Sequence, residues 1–305
     1  MITATLTGNF GNHMWNYSVC RIVAEKLGYE WGINPVATHD YLNGASQMYF
    51  MNIDYGKQVI VNGRNSRGIN TYEGITNEYY DIQKLYNDCC INMYDPNVFN
   101  IQDNTMIHLI SQSEEYLIDR RDDILKWFSI KDEYRNKYDQ KLNELGINLD
   151  ENTCVINFRG GEYRGIPNLI LGKKYWLDSV NHMLSINSNM KFVIVTDDPN
   201  CATSYIGNYP CYHVDIGFDF YAINKSKYVI LSNSSFGWWA SWLSTDVKLT
   251  IAPKYWSRHN VSDGYWSLGD QYVRSFTYLD RGGNLSDFET CRKEAIDYYK
   301  SKNII

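Results

Sequence analysis

The sequence lacks the long apolar segment of a membrane-spanning protein, because no apolar run approaches the ~20 residues that a transmembrane helix needs. Its N-terminal segment lacks the charged and apolar regions of a signal peptide. It also lacks a basic stripe, and its net charge of −6 disfavours a nucleic-acid partner. With 44% hydrophobic and 21% charged residues among 305, we expect a soluble globular chain of two domains that contacts membranes only peripherally.

The seven cysteines include no Cys-x-x-Cys pair or His-spaced cluster, so the sequence predicts neither a zinc site nor a disulfide framework. An odd number of cysteines without a signal peptide indicates reduced thiols and a cytoplasmic setting. Asp197 and Asp198 are adjacent acids of the kind that bind hard cations. Because they follow the apolar run 192–195 and precede Pro199, we interpret them as a turn or helix N-terminus. No metal or other cofactor is predicted.

The most informative segment is residues 229–243, VILSNSSFGWWASWL. Its apolar start predicts a buried parallel strand at 228–231, and Ser234 or Ser235 stands where the N-cap of a following helix belongs. Free N–H groups and the positive end of the helix dipole then favour an anion beyond the strand end. The alternative is an ordinary capped helix with Trp238 packed on Trp242 at i,i+4.

A second strand, in residues 154–164 (CVINFRGGEYR), ends in a glycine turn that places Arg159 near Glu162. Arginine clamps phosphate oxygens through its planar fork, although a structural Arg–Glu pair is the alternative. Two such turns in one α/β pattern favour a shared anionic ligand at the carboxyl ends of parallel strands, as in a nucleotide site.

A third unit covers residues 6–28: a strand, a Gly8-x-x-Gly11 turn and a helix that stops at Gly28. It is not the Gly-x-Gly-x-x-Gly fingerprint of dinucleotide-binding proteins.

These blocks together resemble the bacterial α1,2-fucosyltransferase family. Residues 8–17, GNFGNHMWNY, are similar to its GGLGNQMFQY opening, and residues 157–163, NFRGGEY, to its HxRRxDY motif. Residues 233–243 and 251–256 are similar to its NSSFSWW and PKxW blocks. Residues 112–116 and 196–198 also fall where the family has similar residues.

The resemblance implies an α/β fold of two Rossmann-like domains facing each other across a cleft, in the glycosyltransferase-B arrangement. The second domain would hold a GDP-sugar donor, and the anomeric carbon would invert without a metal. Arg159 would contact the β-phosphate, and Asp219 would suit the N–H donors of guanine, with a helix N-cap as its alternative. The donor-binding residues that the resemblance implies are Gly11, Asn12, Asn157, Asp219, Asn233, Ser234, Ser235 and Phe236.

Four positions depart from the family motifs: Asn157 replaces the histidine, Gly160 the second arginine, Glu162 the aspartate, and His13 a glutamine. Asn157 cannot titrate, so no proton transfer is possible at that position. Glu162 and His13 are the candidates for the catalytic base. The alternatives are that Glu162 orients Arg159 and that His13 packs at the helix start.

We place the domain boundary near residues 149–152, giving an acceptor-side domain at 1–150, a GDP-sugar-binding domain at 151–282 and a bracing helix at 283–305. A helix with a capping box is predicted from Ser111 to Phe128. The irregular section 34–105 defeats assignment, and we expect acceptor recognition there, with His39, Asp40 and Tyr41 as candidates.

The expected function is transfer of fucose from GDP-fucose to a hydroxyl of an oligosaccharide or glycolipid acceptor, in an α1,2 linkage of a surface polysaccharide or O-antigen. The altered 157–162 motif leaves open a related transferase that uses another GDP-deoxysugar such as GDP-colitose. An inactive glycan- or nucleotide-binding homologue is the third reading, and the retained Arg159 and Asn233-Ser234-Ser235 turn argue against it.

Overall fold

The computed structural model describes residues 1–6, 8–35, 47–66, 68–80, 83–86, 89–92, 94–108, 112–260 and 271–303. The chain forms two compact units, Met1–Lys131 and Asp132–Ile305. Each unit is built on a parallel sheet with helices, so the predicted α/β class is confirmed. No helix within these described ranges is both long and apolar enough to cross a membrane.

The first unit contains a four-stranded parallel sheet with the order β2-β1-β8-β5 and two separate antiparallel hairpins, β3-β4 and β6-β7. Its described α-helices are α1 (Phe10–Leu27) and α2 (Arg121–Trp127). Its described strands are β1 (Ile2–Ala4), β2 (Trp31–Ile33), β3 (Val61–Arg64), β4 (Asn70–Tyr72), β5 (Asn77–Tyr80), β6 (Gln83–Tyr86), β7 (Cys89–Asn92) and β8 (Thr105–His108).

The helix predicted at the start of the chain is present as α1, whereas the strand before it is β1, which ends at Ala4 and so precedes the predicted range 6–28. Gly28 ends α1 in the left-handed conformation, at φ 73°, and its N–H donates to carbonyls of the last turn, as glycine C-caps do. The helix is buried on several faces, including the polar residue Asn16, whose Nδ2 donates to the Thr5 carbonyl over 2.6 Å. Burial of this amide is therefore compatible with the rule that buried polar groups are paired.

The single helix predicted from Ser111 to Phe128 is wrong. Two 3₁₀ turns, Glu114–Tyr116 and Ile118–Arg120, precede the short α2. Ser113 accepts a hydrogen bond from the Glu115 N–H, a local side-chain bond that favours a tight turn over a continuous helix. Ser111 lies outside the described residues, as do His39, Asp40 and Tyr41.

The second unit contains a seven-stranded sheet with the order β11-β10-β9-β12-β13-β14-β15, parallel except for β15. Its described strands are β9 (Thr153–Phe158), β10 (Lys191–Thr196), β11 (Cys211–Tyr212), β12 (Tyr228–Leu231), β13 (Leu249–Pro253), β14 (Thr277–Leu279) and β15 (Leu285–Ser286). Its described α-helices are α3 (Asp132–Glu144), α4 (Lys173–Ile186), α5 (Pro199–Ile206), α6 (Ile216–Lys225), α7 (Ser235–Trp242) and α8 (Phe288–Ser301).

Every residue of β9 is buried, as expected for a central parallel strand covered on both faces. One core cluster joins β9 to α4 and β10, with Phe158 and Trp176 rings 5.2 Å apart. Strands and helices alternate from β9 to β13, and the strands predicted before the Arg159 and Ser234 turns are present as β9 and β12.

The boundary between the units lies before α3, whereas the sequence placed it after that helix. Tyr138 of α3 packs on Phe218 and Tyr221 of α6, with ring centroids 6.0 and 5.8 Å apart. These aromatic contacts attach α3 to the second unit. The polar stretch at 149–152, which the sequence suggested as a linker, is a turn that leads into β9.

The predicted C-terminal helix is α8, and Asp287 caps it by accepting from the Thr290 N–H over 2.8 Å. Lys254, only 5% exposed, joins this helix to the sheet: its Nζ contacts Glu294 of α8 over 2.9 Å and donates to Ser286 over 3.0 Å. Bracing of one domain against the other by α8 stays a prediction.

Candidate functional site

The strand order of the second unit reverses at β9. The chain runs from β9 outward to β10 and β11, and then returns to place β12 on the other side of β9, with Leu231 opposite Asn157. In open α/β sheets, ligands bind beyond the carboxyl ends of the strands at such a topological switch point. Both turns singled out in the sequence begin there, since one follows β9 and the other follows β12.

Arg159 follows β9 and is pinned by two carboxylates. Its Nη2 lies 3.0 Å from Glu162 Oε1, and its Nη1 donates to Asp197 Oδ2. Its guanidinium also lies over the Tyr163 ring, 5.7 Å from the centroid. The side chain keeps 29% of its surface exposed, so Arg159 is held in position but still reaches solvent. The ion pair between Arg159 and Glu162, which was the structural alternative for this turn, is therefore present, and it lies at the switch point.

Gly160 and Gly161 allow this turn to approach the turn after β10. The Gly160 N–H donates to Asp197 Oδ1 over 2.9 Å. A Cβ at Gly160 would lie 2.6 Å from the Asp198 Cβ, and one at Gly161 would overlap the Asp197 carboxylate. Side chains at these two positions would therefore force the turns apart.

Asp198 is the N-cap of α5, and its Oδ1 accepts from the Cys201 N–H over 3.1 Å with Pro199 at the first helical position. The interpretation of this acidic pair as a helix N-terminus is confirmed. Within the described ranges, no group of three or more His, Cys, Asp or Glu residues is arranged to hold a metal ion.

Ser234 is the N-cap of α7, but no side-chain hydrogen bond caps this helix. The Ser234 hydroxyl therefore makes none of the bonds by which an ordinary serine caps a helix. Asn233 anchors the turn by donating from Nδ2 to the Leu169 carbonyl over 2.9 Å, and its own carbonyl accepts from the Tyr163 hydroxyl at 3.3 Å. This last contact joins the β12 turn to the turn that holds Arg159.

Ser235 and Phe236 begin α7, and both are half-buried. The Phe236 ring packs edge-on against Phe220 of α6 at 5.7 Å. The predicted packing of Trp238 on Trp242 is observed as a stacked pair at 5.6 Å. The aromatic side of α7 therefore fixes the helix on the sheet, while its N-terminus stands at the end of β12.

Asn157 lies below the switch point and is 6% exposed. Its Oδ1 accepts from the Ser232 hydroxyl over 3.2 Å, and its carbonyl accepts from the Ser232 N–H over 3.0 Å. The side chain thus ties β9 to the end of β12. Direct contact between Asn157 and a donor stays a prediction.

Asp219 does not cap α6, because Asp215 is the N-cap and accepts from the Phe218 N–H over 2.8 Å. Asp219 is instead buried in the first turn, with Oδ2 at 2.6 Å from His213 Nδ1. Burial raises the pKa of the Asp219 carboxyl, and the hydrogen bond to Asp219 raises the pKa of His213. His213 was not predicted as a site residue, although a histidine directly after strand β11 belongs at the same sheet edge.

The first unit holds the remaining candidates at the start of α1. His13 is buried, and its Nε2–H donates to the Gly8 carbonyl over 2.9 Å, while Gly8 takes the left-handed φ of 72°. Burial lowers the pKa of His13 to about 4. Asn12 Oδ1 accepts from Gln112 Nε2 over 2.8 Å, which joins two of the resemblance blocks, and Gly11 is buried beside it in the first turn. His13 therefore joins the start of α1 to the Gly8 turn, and its role as a base stays a prediction.

The sequence is similar to one family of known proteins. The sequence profile of glycosyl transferase family 11 matches residues 1–279. An α-1,2-colitosyltransferase of Escherichia coli is 24% identical over 168 residues, which cover 47% of this chain and 57% of that protein. The O-antigen biosynthesis glycosyltransferase WbnK of Escherichia coli is 26% identical over 159 residues, covering 47% and 53%. The chain thus spans little more than half the length of these relatives.

Among solved structures, POFUT1 in complex with GDP-fucose is similar at a TM-score of 0.48 and 8% identity, covering 82% of this chain and 96% of that one. A TM-score of this size does not by itself establish a common fold. The sequence profile, by contrast, spans nearly the whole chain, and it confirms the resemblance carried by the motifs. The chain belongs to glycosyl transferase family 11.

Proposed function

We propose that this chain transfers a deoxysugar, fucose in the first instance, from a GDP-linked donor to a hydroxyl of a glycan. One observation carries the proposal: Arg159 and the N-terminus of α7 stand together at the topological switch point of the second unit. A guanidinium and the N–H groups at the positive end of a helix dipole are donors that bind a diphosphate.

The proposed reaction breaks the bond between the anomeric carbon and the β-phosphate oxygen, and the electron pair leaves with GDP. Arg159 and the first N–H groups of α7 stabilise the charge that grows on the diphosphate. Arginine has five N–H donors, and only two nitrogens of Arg159 are described as bound to carboxylates. The guanidinium therefore keeps donors for phosphate oxygens while Glu162 and Asp197 fix its plane.

The acceptor oxygen forms the new bond to the anomeric carbon from the opposite face, and its proton passes to a base. Glu162 is the better candidate, because its side chain is 57% exposed beside Arg159. The alternative candidate, His13, uses its Nε2 proton on Gly8 and is buried. Asp219 is proposed to meet the guanine N–H groups through the carboxylate that His213 now contacts.

The donor sugar has two candidates. The family resemblance favours GDP-fucose, whereas the α-1,2-colitosyltransferase among the relatives favours GDP-colitose. The α-1,2-colitosyltransferase supports an α1,2 linkage. The O-antigen biosynthesis glycosyltransferase supports an O-antigen or related surface glycan as the acceptor. A cytoplasmic setting with peripheral membrane contact is proposed with them, and cell fractionation would test it.

Calorimetric titration with GDP, GDP-fucose, GDP-mannose and a UDP-sugar tests the proposal. We expect GDP and a GDP-deoxysugar to bind and the UDP-sugar to fail, and we expect sugar release or transfer only from the donor that binds. Absence of binding by every guanosine diphosphate would contradict the proposal.

Metal independence is part of the proposal, since Arg159 and the α7 N–H groups supply the positive charge. Transfer is expected to survive exhaustive EDTA treatment. Loss of transfer that Mg²⁺ or Mn²⁺ restores would show that this account of the leaving-group charge is wrong.

A further inference from the structure

The turn that holds Arg159 is short of positive charge. Arg159 and Arg164 face three carboxylates, those of Glu162, Asp197 and Asp198. Each phosphate of a sugar diphosphate brings a further negative charge. Arg159, with two nitrogens already on carboxylates, and the partial positive charge of the α7 N-terminus leave part of that charge unbalanced.

Arg164 is the second cation of this turn. Its backbone N–H donates to the Gly160 carbonyl over 2.9 Å, so it stands one tight turn beyond Arg159. Its side chain is 70% exposed, and its one described partner is Asp198 Oδ2, 3.3 Å from Nη1. Because this guanidinium stays largely in water, its pairing with the 13% exposed Asp198 carboxylate contributes little free energy, and an anionic ligand can displace the carboxylate.

The location of Arg164 follows from the glycine at position 160. No side chain fits there, because a Cβ would lie 2.6 Å from the Asp198 Cβ. Arg164 contacts the carboxylate of that same Asp198. Its guanidinium is therefore held by the same aspartate that blocks a side chain at position 160.

We infer that Arg164 binds the donor diphosphate together with Arg159, and exchanges Asp198 for a phosphate oxygen when the donor arrives. This inference rests on the proposed function and names a residue outside the motifs that carried the resemblance. Asp198 holds the guanidinium in place until the donor binds, and the exchange costs little because the Arg164 side chain is 70% exposed.

Calorimetric titration of the full chain with GDP and with guanosine tests this role. In Arg164→Ala we expect the Kd of GDP to rise roughly 10- to 100-fold, the effect of losing one charge-assisted contact. The Kd of guanosine, which carries no phosphate, should stay unchanged. Arg164→Lys should recover part of the GDP affinity, because a point charge replaces the planar fork only partly.

Asp198→Asn separates ligand binding from a structural tether. Asparagine also caps helices well, so the Cys201 N–H keeps a partner while the ion pair to Arg164 is lost. If Arg164 binds phosphate, this variant should hold GDP as well as or better than the wild type. Arg135→Ala, a matched change at a 49% exposed arginine of α3, should leave both affinities unchanged.

Four results would overturn the inference. GDP binding in Arg164→Ala equal to wild type excludes a phosphate contact. Equal weakening of GDP binding in Arg164→Ala and Asp198→Asn, or equal weakening of GDP and guanosine binding in Arg164→Ala, shows that the ion pair only shapes the turn. Failure of the wild type to bind GDP overturns the proposed function together with this inference.

Discussion

At the scale of single residues, Arg159 is the residue on which the chemistry depends. Arg159→Ala is expected to abolish transfer while the second unit keeps its fold, because this half-exposed arginine lies beyond the end of β9 and outside its core. Arg159→Lys should restore little, since a point charge cannot hold two carboxylates and a phosphate at once. Turnover and thermal melting, with Arg135→Ala as control, check both statements. Wild-type turnover in Arg159→Ala would contradict the assignment.

Glu162 has two possible roles that one substitution separates. If it removes the acceptor proton, Glu162→Gln should keep the Kd of GDP within a few-fold and lower kcat by ~10²–10⁴, the usual contribution of general base catalysis. If it only orients Arg159 through the 3.0 Å ion pair, the same change should weaken GDP binding and spare part of the turnover. His13→Gln is the companion variant, and we expect near-normal kcat because His13 serves the Gly8 loop. Full turnover in both variants would move the base elsewhere.

The sequence predicted the residue types of the site better than their partners. Arg159, Ser234 and Glu162 could be placed in turns after apolar strands because such turn chemistry is local in the chain. Asp197 and His213 could not be identified as partners of Arg159 and Asp219. The bond between Arg159 and Asp197 spans 38 residues, and only the order of strands in the sheet brings them together.

At the scale of elements, the seating of α7 on β9 depends on Gly237. A Cβ there would lie 3.0 Å from Leu231 Cδ2 and 3.0 Å from Asn157 Cγ, and closer still to the Asn157 amide oxygen. Gly237→Ala is therefore expected to lift the helix and destabilise the second unit by about 1–3 kcal/mol, the usual cost of overpacking. Chemical denaturation measures this, and GDP affinity should fall with it. An unchanged free energy of unfolding would show that the helix can shift freely.

The elements of the second unit were predictable because buried parallel strands appear as short apolar runs separated by amphipathic helices. The elements between residues 34 and 105 could not be predicted from the sequence. The described strands there are three or four residues long, and β3 is fully exposed, so alternation of apolar and polar residues has no room to show. The 3₁₀ turns within residues 111–128 were not predicted, because the sequence there has a helix-like pattern. The Ser113 side chain accepts a hydrogen bond from the nearby Glu115 N–H, and this favours a tight turn.

At the scale of the whole molecule, stability should fall as the pH drops below neutrality. Burial lowers the pKa of His13 and of His259 from 6.5 to about 4, so between these pH values the unfolded chain binds more protons than the folded one. As the pH falls through this window, protonation of each histidine in the unfolded chain lowers the free energy of unfolding by at most about 3 kcal/mol. His213 has the opposite sign, since its raised pKa adds stability that is lost as the pH rises through it.

Urea unfolding at pH 7 and pH 5 measures this dependence, following the two units separately. His13→Gln keeps a donor for Gly8 but cannot titrate, so the first unit of this variant should lose part of its pH dependence. An identical pH dependence in variant and wild type would contradict the prediction.

The strand order of the second unit also determines when each strand can find its partners during synthesis. β9 is made before both of its neighbours, and its Asn157 must await Ser232, 75 residues later. At about 5–20 residues per second, that delay lasts roughly 4 to 15 seconds. Throughout it, an apolar strand has an open edge on which another nascent chain can pair. The arrangement that gathers Arg159 and α7 at one sheet end thus also creates the interval in which this chain is most exposed to aggregation.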